Sequence, residues 1–406
     1  MRAPSSRRAF HRSRCALKKA GLNQSLALAP MLLPAVPLLA AEHLRSDISY
    51  QLYKEDDGRI NVESWYFRGE MNLSEDTTFR YQFLRDAITG SSPTGALPGG
   101  TQPFLAEIED VRNGVLGALS HKFGDHLVEV EFSRSKEHDY LSYGLSLSDR
   151  WEFNQKNTAL SFGINYLDDQ VAVYGLEDQK KRSYDFFVGL SQLLDKNTIL
   201  SANLTIGYSE GYLNDPYKAI QRTDIVSVPD GLGGTIDIPT VNLYRENRPD
   251  SRLRGVLQLQ GTHFFEKYQA ALDCTLRFSA DDYGVFSQMV QVEWRQSLWD
   301  RFEITPYIRY YRQNEANFFH NTLDEVSIAN PAEYPNGRGP NYSSDYRLSS
   351  MQTLSLGLKL RFRISDNCFL WGAYERYEMS GWGSHQAPAE AYPSADIWTV
   401  GCTIQF

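Results

Sequence analysis

Long stretches of the chain alternate strictly between apolar and polar residues. In 354–362 every second residue is Leu or Phe, and Ser, Gly, Lys and Arg stand between them. Similar patterns occupy 160–166, 200–208 and 398–406. Because successive side chains of a β-strand point to opposite faces, this period predicts strands with one apolar and one polar face. No stretch shows a convincing helical stripe.

The length of the alternating stretches decides the fold class. Strands of soluble proteins usually run about five or six residues, whereas a transmembrane strand needs about 9–11. A face of Ser, Thr, Asn, Gly and charged residues does not suit the dry interior of a soluble sandwich. We therefore expect an all-β fold: a closed antiparallel transmembrane β-barrel of about 16 strands, with short periplasmic turns and long external loops.

Sixteen strands can be placed along the chain. Their predicted ranges are 46–54, 59–73, 77–88, 109–122, 126–136, 140–150, 157–168, 181–193, 197–210, 251–264, 267–280, 285–298, 302–315, 348–363, 367–381 and 394–406. Short connections alternate with longer ones, which include 89–108, 169–180, 211–250, 316–347 and 382–393. Short periplasmic turns and long external loops produce this alternation.

Aromatic residues gather near the ends of the predicted strands, as expected of residues at the two membrane interfaces. The candidates are Tyr50, Tyr53, Tyr81, Phe83, Tyr208, Tyr212, Tyr310, Tyr311, Trp371, Tyr374 and Trp398.

The first 41 residues have the layout of a secretory signal peptide. A basic segment precedes an apolar stretch that ends at Ala41. We therefore divide the chain into a signal peptide, 1–41, and a single barrel domain, 42–406, located in the outer membrane of a bacterial cell. The expected partners are outer-membrane lipid and the barrel-insertion machinery, since the final Phe406 resembles the insertion signal of such barrels.

Charge and composition narrow the classes of function. The 406 residues carry a net charge of −9, and residues 1–41 hold seven Lys or Arg and no acid. The remaining chain is therefore strongly acidic, which argues against nucleic acid as a partner. No run of eighteen apolar residues could form a transmembrane helix.

Several segments resemble a bacterial outer-membrane β-barrel family catalogued as domain of unknown function 3570. The segments are 86–93, 214–218 (Asn-Asp-Pro-Tyr-Lys), 246–252 (Glu-Asn-Arg-Pro-Asp-Ser-Arg), 281–284, 309–313 and 344–348 (Ser-Asp-Tyr-Arg-Leu). The resemblance implies a barrel in the outer membrane, sometimes encoded beside a thioredoxin-like protein and a flavin-transferring enzyme. It implies no catalytic residue.

No catalytic or metal-binding pattern stands out. Residues 207–211 spell G-x-S-x-G, but a nucleophile elbow needs a helix directly after the strand, and here a loop follows. No histidines pair at metal-ligand spacing, and solvated loop tips explain the acidic pairs at 56–57, 168–169 and 281–282 as well as calcium does. The odd number of cysteines after residue 41 (Cys274, Cys368 and Cys402) supports no disulfide framework. We expect no enzyme activity, no metal and no cofactor.

Charged residues in the polar phase of the strands are expected to line the lumen. An Arg or Lys on the lipid face would cost about 2–4 kcal/mol at the bilayer midplane. The candidates for solute contact are Arg252, Arg254, Asp273, Arg277, Glu293, Arg295, Arg309, Lys359 and Arg361, with Arg80, Asp86, Glu129, Glu131 and Asp185 in the same phase. The first six lie on three consecutive strands, so they could instead pair with one another and brace the wall.

Two functions remain open. The first is porin-like passage of small solutes, with weak selectivity or a mild anion preference, since these lumen candidates comprise eight cations and six acids. The second is a non-conducting barrel that serves as scaffold or receptor for a periplasmic or electron-transfer partner. Sixteen strands leave an aqueous interior unless something fills it, and the loop 211–250 is long enough to fold in as a constriction.

Overall fold

The computed structural model describes residues 44–97, 105–326, 328, 331 and 335–406. The predicted signal peptide, 1–41, lies outside the described residues. Within them, sixteen antiparallel strands form one closed barrel, and two further strands form a separate hairpin. The predicted fold class is confirmed.

The barrel is a simple up-and-down ring, interrupted once by the hairpin β10–β11 between β9 and β12. The strands are β1 Leu44–Glu55, β2 Asn61–Asn72, β3 Thr77–Pro93, β4 Leu105–Phe123, β5 His126–Lys136, β6 Tyr140–Phe153, β7 Thr158–Val171, β8 Gln179–Asp195, β9 Thr198–Gly211, β10 Ala219–Pro229, β11 Thr235–Arg245, β12 Ser251–Phe265, β13 Ala270–Asp281, β14 Phe286–Leu298, β15 Phe302–Gln313, β16 Met351–Ser365, β17 Cys368–Gly381 and β18 Ser394–Gln405.

The first and last strands close the ring. β1 pairs with β18 from Arg45 opposite Gln405 to Glu55 opposite Ala395. Backbone hydrogen bonds between Leu44 and Phe406 extend this seam at its end. The closed ring leaves none of its sixteen strands with an unpaired edge, as a sheet within lipid requires.

Alternation along each strand separates an apolar exterior from a polar interior. On β16, Leu356 is 52% exposed. The preceding residue, Ser355, faces the interior and is 1% exposed. Leu145 on β6 and Val400 on β18 face outward in the same way. The exposed apolar residues form the band that suits contact with lipid hydrocarbon.

The aromatic prediction is correct for some residues and wrong for others. Trp398 and Tyr374 lie on the exterior with ring centroids 4.4 Å apart. Trp371 points inward instead and donates to Asp47, and Tyr311 packs against the buried residues beneath the loops. Tyr53 and Tyr212 are not on the exterior either. Tyr53 donates a hydrogen bond to Glu55, and Tyr212 belongs to a buried apolar cluster. Proximity to a strand end does not determine which face a side chain occupies.

Three of the predicted loops contain strand: 169–180 loses only a few residues at its ends, to β7 and β8, and the other two differ more. β3 and β4 pair as far as Pro93 opposite Leu105, so the loop predicted at 89–108 shrinks to 94–104. These extensions were missed because polar residues such as Ser91 and Glu107 break the apolar alternation there. The loop 211–250 contains β10 and β11, which pair only with each other in the sheet.

The remaining regular elements are short 3₁₀ helices at Asp56–Gly58, Glu266–Tyr268, Leu323–Glu325, Tyr346–Leu348 and Ala389–Ala391. In the described part of the chain, no helix has the length and apolar content to span a bilayer. We call the two ends of the barrel the short-turn end and the long-loop end.

The strand order predicts which connections are accessible on intact cells. A protease site inserted between Gly231 and Leu232, at the exposed tip of the hairpin, should be cut on whole cells. The same site inserted after Lys196, in a tight turn, should be cut only after the outer membrane is permeabilised. Immunoblotting of fragments distinguishes the two, and the opposite pattern would reverse the orientation of the barrel.

A matched pair of substitutions on β6 tests the inward and outward faces. Leu145→Arg places a charge on the apolar band and should cost about 2–4 kcal/mol near the midplane, reducing the folded fraction. Ser146→Arg should be tolerated, since Ser146 lies opposite Glu131 on the polar face. The fraction of barrel that stays compact in unheated gels measures both, and equal effects would contradict the assignment of faces.

Candidate functional site

The nine predicted lumen residues all lie on the face opposite the exposed apolar band. Arg361, for example, alternates with the outward Leu360 and Phe362, and its guanidinium lies 4.1 Å from the ring centre of Phe369. Arg309 alternates with the outward Ile308 and pairs with Glu375. The structure thus places these side chains on the interior wall.

Most of these residues have polar partners one or two strands away. Arg252 pairs with Asp281 and also lies over the ring of Tyr283. Lys359 pairs with Glu293 at 3.1 Å, and Arg295 approaches Glu303 at 3.9 Å.

Amides satisfy two more of the predicted residues. Asp273 accepts a hydrogen bond from Gln260 at 2.9 Å, and Arg277 donates to Gln258 at 2.7 Å. Among the described residues, Arg254 has no carboxylate within 4 Å.

The partners differ from those that the sequence suggested. Arg252, Arg254, Asp273, Arg277, Glu293 and Arg295 form no ion pair with one another in the described structure. The register explains this result, because Asp273 lies opposite Glu293, which is also an acid, and Arg295 lies opposite Ala271. Arg252 and Arg295 instead use Asp281 and Glu303, and Arg309 uses Glu375; sequence reasoning did not place these three acids on the lumen wall. Glu303 and Glu375 could have been found, since both alternate with outward residues.

These missed acids reduce the predicted excess of cations on the wall. Arg80 pairs with Glu129 at 2.5 Å, and Arg112 pairs with the buried Asp86. The wall is therefore a set of braced charge pairs with few uncompensated groups.

The apolar core of the protein lies at the long-loop end. We call this region the loop layer, defined by residues 212–218, 246–250, 314–325, 342–350 and 382–393. Its largest buried cluster comprises Tyr283, Val285, Ala316, Phe318, Phe319, Leu348, Met351, Ala387, Ala391 and Tyr392. A second cluster joins Ile220 at the base of the hairpin to Leu323 and Tyr342.

An ionic network centred on the buried carboxylates of Glu246 and Asp345 holds the loop layer together. Arg248 pairs with Glu246 and Asp345, each at 2.7 Å. Arg347 pairs with the same Asp345 and with Asp215. Glu246 also accepts a hydrogen bond from Ser343 at 2.6 Å. Three segments from two connections, β9–β12 and β15–β16, therefore meet at a few carboxylate groups.

Burial and charge act on these groups in opposite directions. Burial would raise the pKa of Asp345, but the charges of Arg347 and Arg248 outweigh it and hold that pKa well below its usual range. Burial raises the pKa of Glu246 more than Arg248 lowers it. Burial likewise lowers the pKa of Lys218.

The loop layer crosses the mouth of the barrel. Lys218, which follows β9, donates to the carbonyl of Pro93 at the end of β3 at 2.5 Å. Tyr346 contacts Tyr392, and Arg59 in the β1–β2 turn donates to the carbonyl of Ala391. Because β9 and β3 are six strands apart in the ring of sixteen, the contact of Lys218 reaches across the mouth, whereas the other two contacts join connections that are close together in the ring. The base of the loop 211–250 thus lies over the mouth, while the hairpin tip is exposed.

A cavity of about 560 Å³ lies between the loop layer and the interior wall. It is bounded by β8, β9 and β12 on one side and by residues 212–217 on the other. Its charged lining residues are Glu137, Asp139, Lys181, Asp185, Asp215, Arg248, Arg252 and Arg254. The numbers of acids and bases are equal, so the cavity can accept polar solutes of either sign.

The carboxylates that could attract a cation are partly occupied. Asp169 and Asp281 face Lys181 and Arg252, respectively. Asp110, Glu137 and Asp139 bring carboxylate oxygens within 4.8 Å of one another, and Arg112 lies 3.8 Å from Glu137. The sulfur atoms of Cys368 and Cys402 are 4.0 Å apart, and the described cysteines are free thiols.

Comparison with protein families identifies the chain. A family described as "Protein of unknown function (DUF3570)" matches residues 23–179 and 173–391. The chain belongs to the DUF3570 family. Three of the segments on which the sequence resemblance rested, 214–218, 246–252 and 344–348, contribute Asp215, Arg248 and Asp345 to the ionic network of this DUF3570 barrel.

Solved structures similar to this DUF3570 barrel are outer-membrane proteins of several kinds. The siderophore receptor PirA from Pseudomonas aeruginosa is 11% identical, with 89% of this chain and 80% of PirA covered and a TM-score of 0.43. OccAB1 from Acinetobacter baumannii is 9% identical over 90% of this chain and 95% of that protein, with a TM-score of 0.43. A bacterial polysaccharide outer membrane secretin is 10% identical over 90% of this chain and 98% of that chain, with a TM-score of 0.46. Curated protein sequences contain no significant match.

The ionic network of the DUF3570 barrel predicts a large effect of one substitution. Asp345→Asn leaves Arg248 and Arg347 without a shared buried anion, which typically costs about 3–5 kcal/mol. Limited proteolysis should then cut within 342–350 and 212–218 much faster, while the barrel itself stays intact. Asp366→Asn, in an exposed turn, is the control and should leave the cleavage rate unchanged. An unchanged rate in both variants would show that the network does not hold the loops.

Proposed function

We propose that this protein resides in the bacterial outer membrane and provides porin-like passage for small solutes. The observation that carries the proposal is that the interior has two regions, an apolar one at the long-loop end and a polar one along the barrel wall. In the described residues, the buried apolar clusters lie at the long-loop end, whereas the interior wall below them is polar and lined by charge pairs. A polar wall on the inside of a sixteen-strand barrel suits a water-filled passage.

The loop layer sets the size limit in this proposal. Contacts from Lys218 to Pro93 and from Arg347 to Asp215 span the mouth and leave less room than the ring of strands would. The short-turn end carries only tight connections, for example 196–197 and 366–367. Passage is therefore narrowest at the end that faces the cell exterior.

The same loop layer supports a second candidate function. A mouth crossed by a buried apolar cluster and an ionic network also suits a barrel that does not conduct. Such a barrel would act as a scaffold or receptor for a periplasmic or electron-transfer partner. Neither candidate function involves catalysis, a metal, a cofactor or a nucleic-acid partner.

Conductance in planar lipid bilayers distinguishes the two functions. The wild-type protein should give small, discrete current steps because the loop layer narrows the mouth. Asp345→Asn should give larger or longer openings, since it loosens the same loops, and Asp366→Asn should match the wild type. If neither the wild type nor Asp345→Asn conducts while both are folded, the scaffold function replaces passage.

Charge selectivity provides a further test of passage. Because most wall charges are paired, the wild-type reversal potential in a KCl gradient should lie close to zero. Arg277 and Arg361 have no carboxylate within 4 Å in the described structure, so their field in the lumen is less compensated than that of Arg309. Neutralising both with Gln should move the reversal potential toward cations. A strongly cation-selective wild type would mean that loop charges govern entry.

A further inference from the structure

The cavity beneath the loop layer contains charged groups that are already compensated. Lys181 pairs with Asp169 at 3.3 Å, and Arg252 pairs with Asp281. Arg248 and Asp215 belong to the ionic network described above. These four groups therefore have little charge left to offer a solute.

Two more acids lie where the β5–β6 connection meets the loop layer. Glu137 is 3.8 Å from Arg112, and Asp139 accepts a hydrogen bond from the hydroxyl of Tyr217 at 2.6 Å. Tyr217 belongs to the loop layer, so this contact joins that connection to the loops above the cavity.

Asp185 and Arg254 are the charged lining residues that remain. Asp185 accepts one hydrogen bond from Asn165 at 3.1 Å and has no cation within 4 Å among the described residues. Arg254 has no carboxylate within the same distance. An acid and a base thus line one cavity without pairing with each other.

The sheet places these two residues in one row. Asp185 on β8 and Arg254 on β12 both lie opposite Gly207 of β9, so their Cα atoms are separated by two strand spacings, about 9–10 Å. Gly207 has no side chain, and the carboxylate of Asp185 lies over it on the side that leads toward Arg254. A Cβ at this position would come within 2.5 Å of Oδ1 of Asp185.

We propose that this row is a binding site for a small zwitterion, a solute that carries both a carboxylate and an ammonium group, such as an amino acid or a short peptide. Arg254 binds the carboxylate through two N–H groups, and Asp185 accepts from the ammonium group. The proposal deepens the proposed function, because it names the class of solute, and it rests on solutes reaching the lumen.

The site also gives a role to the G-x-S-x-G segment 207–211, for which no catalytic role was found. Gly207 and Ser209 belong to the G-x-S-x-G segment 207–211, and both line the cavity. Ser209 shares a hydrogen bond with Ser183 at 2.9 Å, so its hydroxyl belongs to the polar wall. The motif supplies a residue without a side chain, over which the carboxylate of Asp185 can lie, and a hydroxyl beside the row of charges.

Calorimetric titration of the full-length protein in detergent with glycylglycine tests the proposal. The wild type should bind glycylglycine, and it should bind N-acetylglycylglycine and glycylglycinamide about tenfold more weakly, since each lacks one charge, worth about 1.4 kcal/mol. Asp185→Asn should lose the discrimination against the N-acetyl compound only. Arg254→Gln should lose the discrimination against the amide only.

Two matched controls exclude a general effect of lumen charge. Arg68→Gln and Glu70→Gln change an interior base and acid on β2, outside the cavity, and should leave all three affinities unchanged. Absence of glycylglycine binding to the folded wild type, or equal affinity for all three compounds, would overturn the proposal. So would selectivity that survives in both cavity variants.

The outcome separates this inference from the proposed passage. The titration measures binding without any membrane, whereas passage is measured as current. Binding without conductance would leave the site in place and remove passage. Conductance without binding would remove the site and leave passage in place.

Discussion

The requirement to satisfy every backbone N–H and C=O group within lipid determines this architecture. A sheet meets it only by closing on itself, because an open edge in hydrocarbon costs several kcal/mol for each unpaired group. The pairing of β1 with β18 completes that closure over eleven residue pairs. Once the ring is closed, alternation leaves only two environments, lipid outside and a polar lumen inside. The placement of each strand charge follows from that division.

Alternation made the barrel predictable from sequence, and its limits explain what was missed. Sixteen strands, their order and the inward face of residues such as Arg309 and Lys359 follow from a period of two. The pattern fails where a strand leaves the apolar band, because both faces are then polar, as in β4 near Glu107. The hairpin β10–β11 was missed for a different reason, since Pro239 and Thr240 shift the apolar alternation of β11 from Ile236 and Ile238 to Val241 and Leu243.

The pairing of charges could be predicted only in part. Parity shows that Asp273 and Glu293 face inward, but only the register shows that these two acids lie opposite each other. The ionic network could not be predicted from alternation, since Asp215, Arg248 and Asp345 come from segments without an alternating pattern. Three of the segments that build the network were noted in the sequence only because they resemble a known family. The resemblance gave no reason for their composition. The structure supplies that reason, since these segments form a buried cluster in which each acid contacts a base.

The loop layer also has a consequence for the order of assembly. Its residues come from connections on opposite sides of the ring, so few of its contacts can exist before the strands are in place, and long-range contacts of this kind form slowly. In the orientation proposed above, each loop crosses the bilayer before charges such as Arg248 and Asp345 can pair, and an uncompensated charge is costly there. The loops meet only on the far side. Burial of Asp345 would therefore mark the last stage of folding, when the loop layer assembles on the completed barrel.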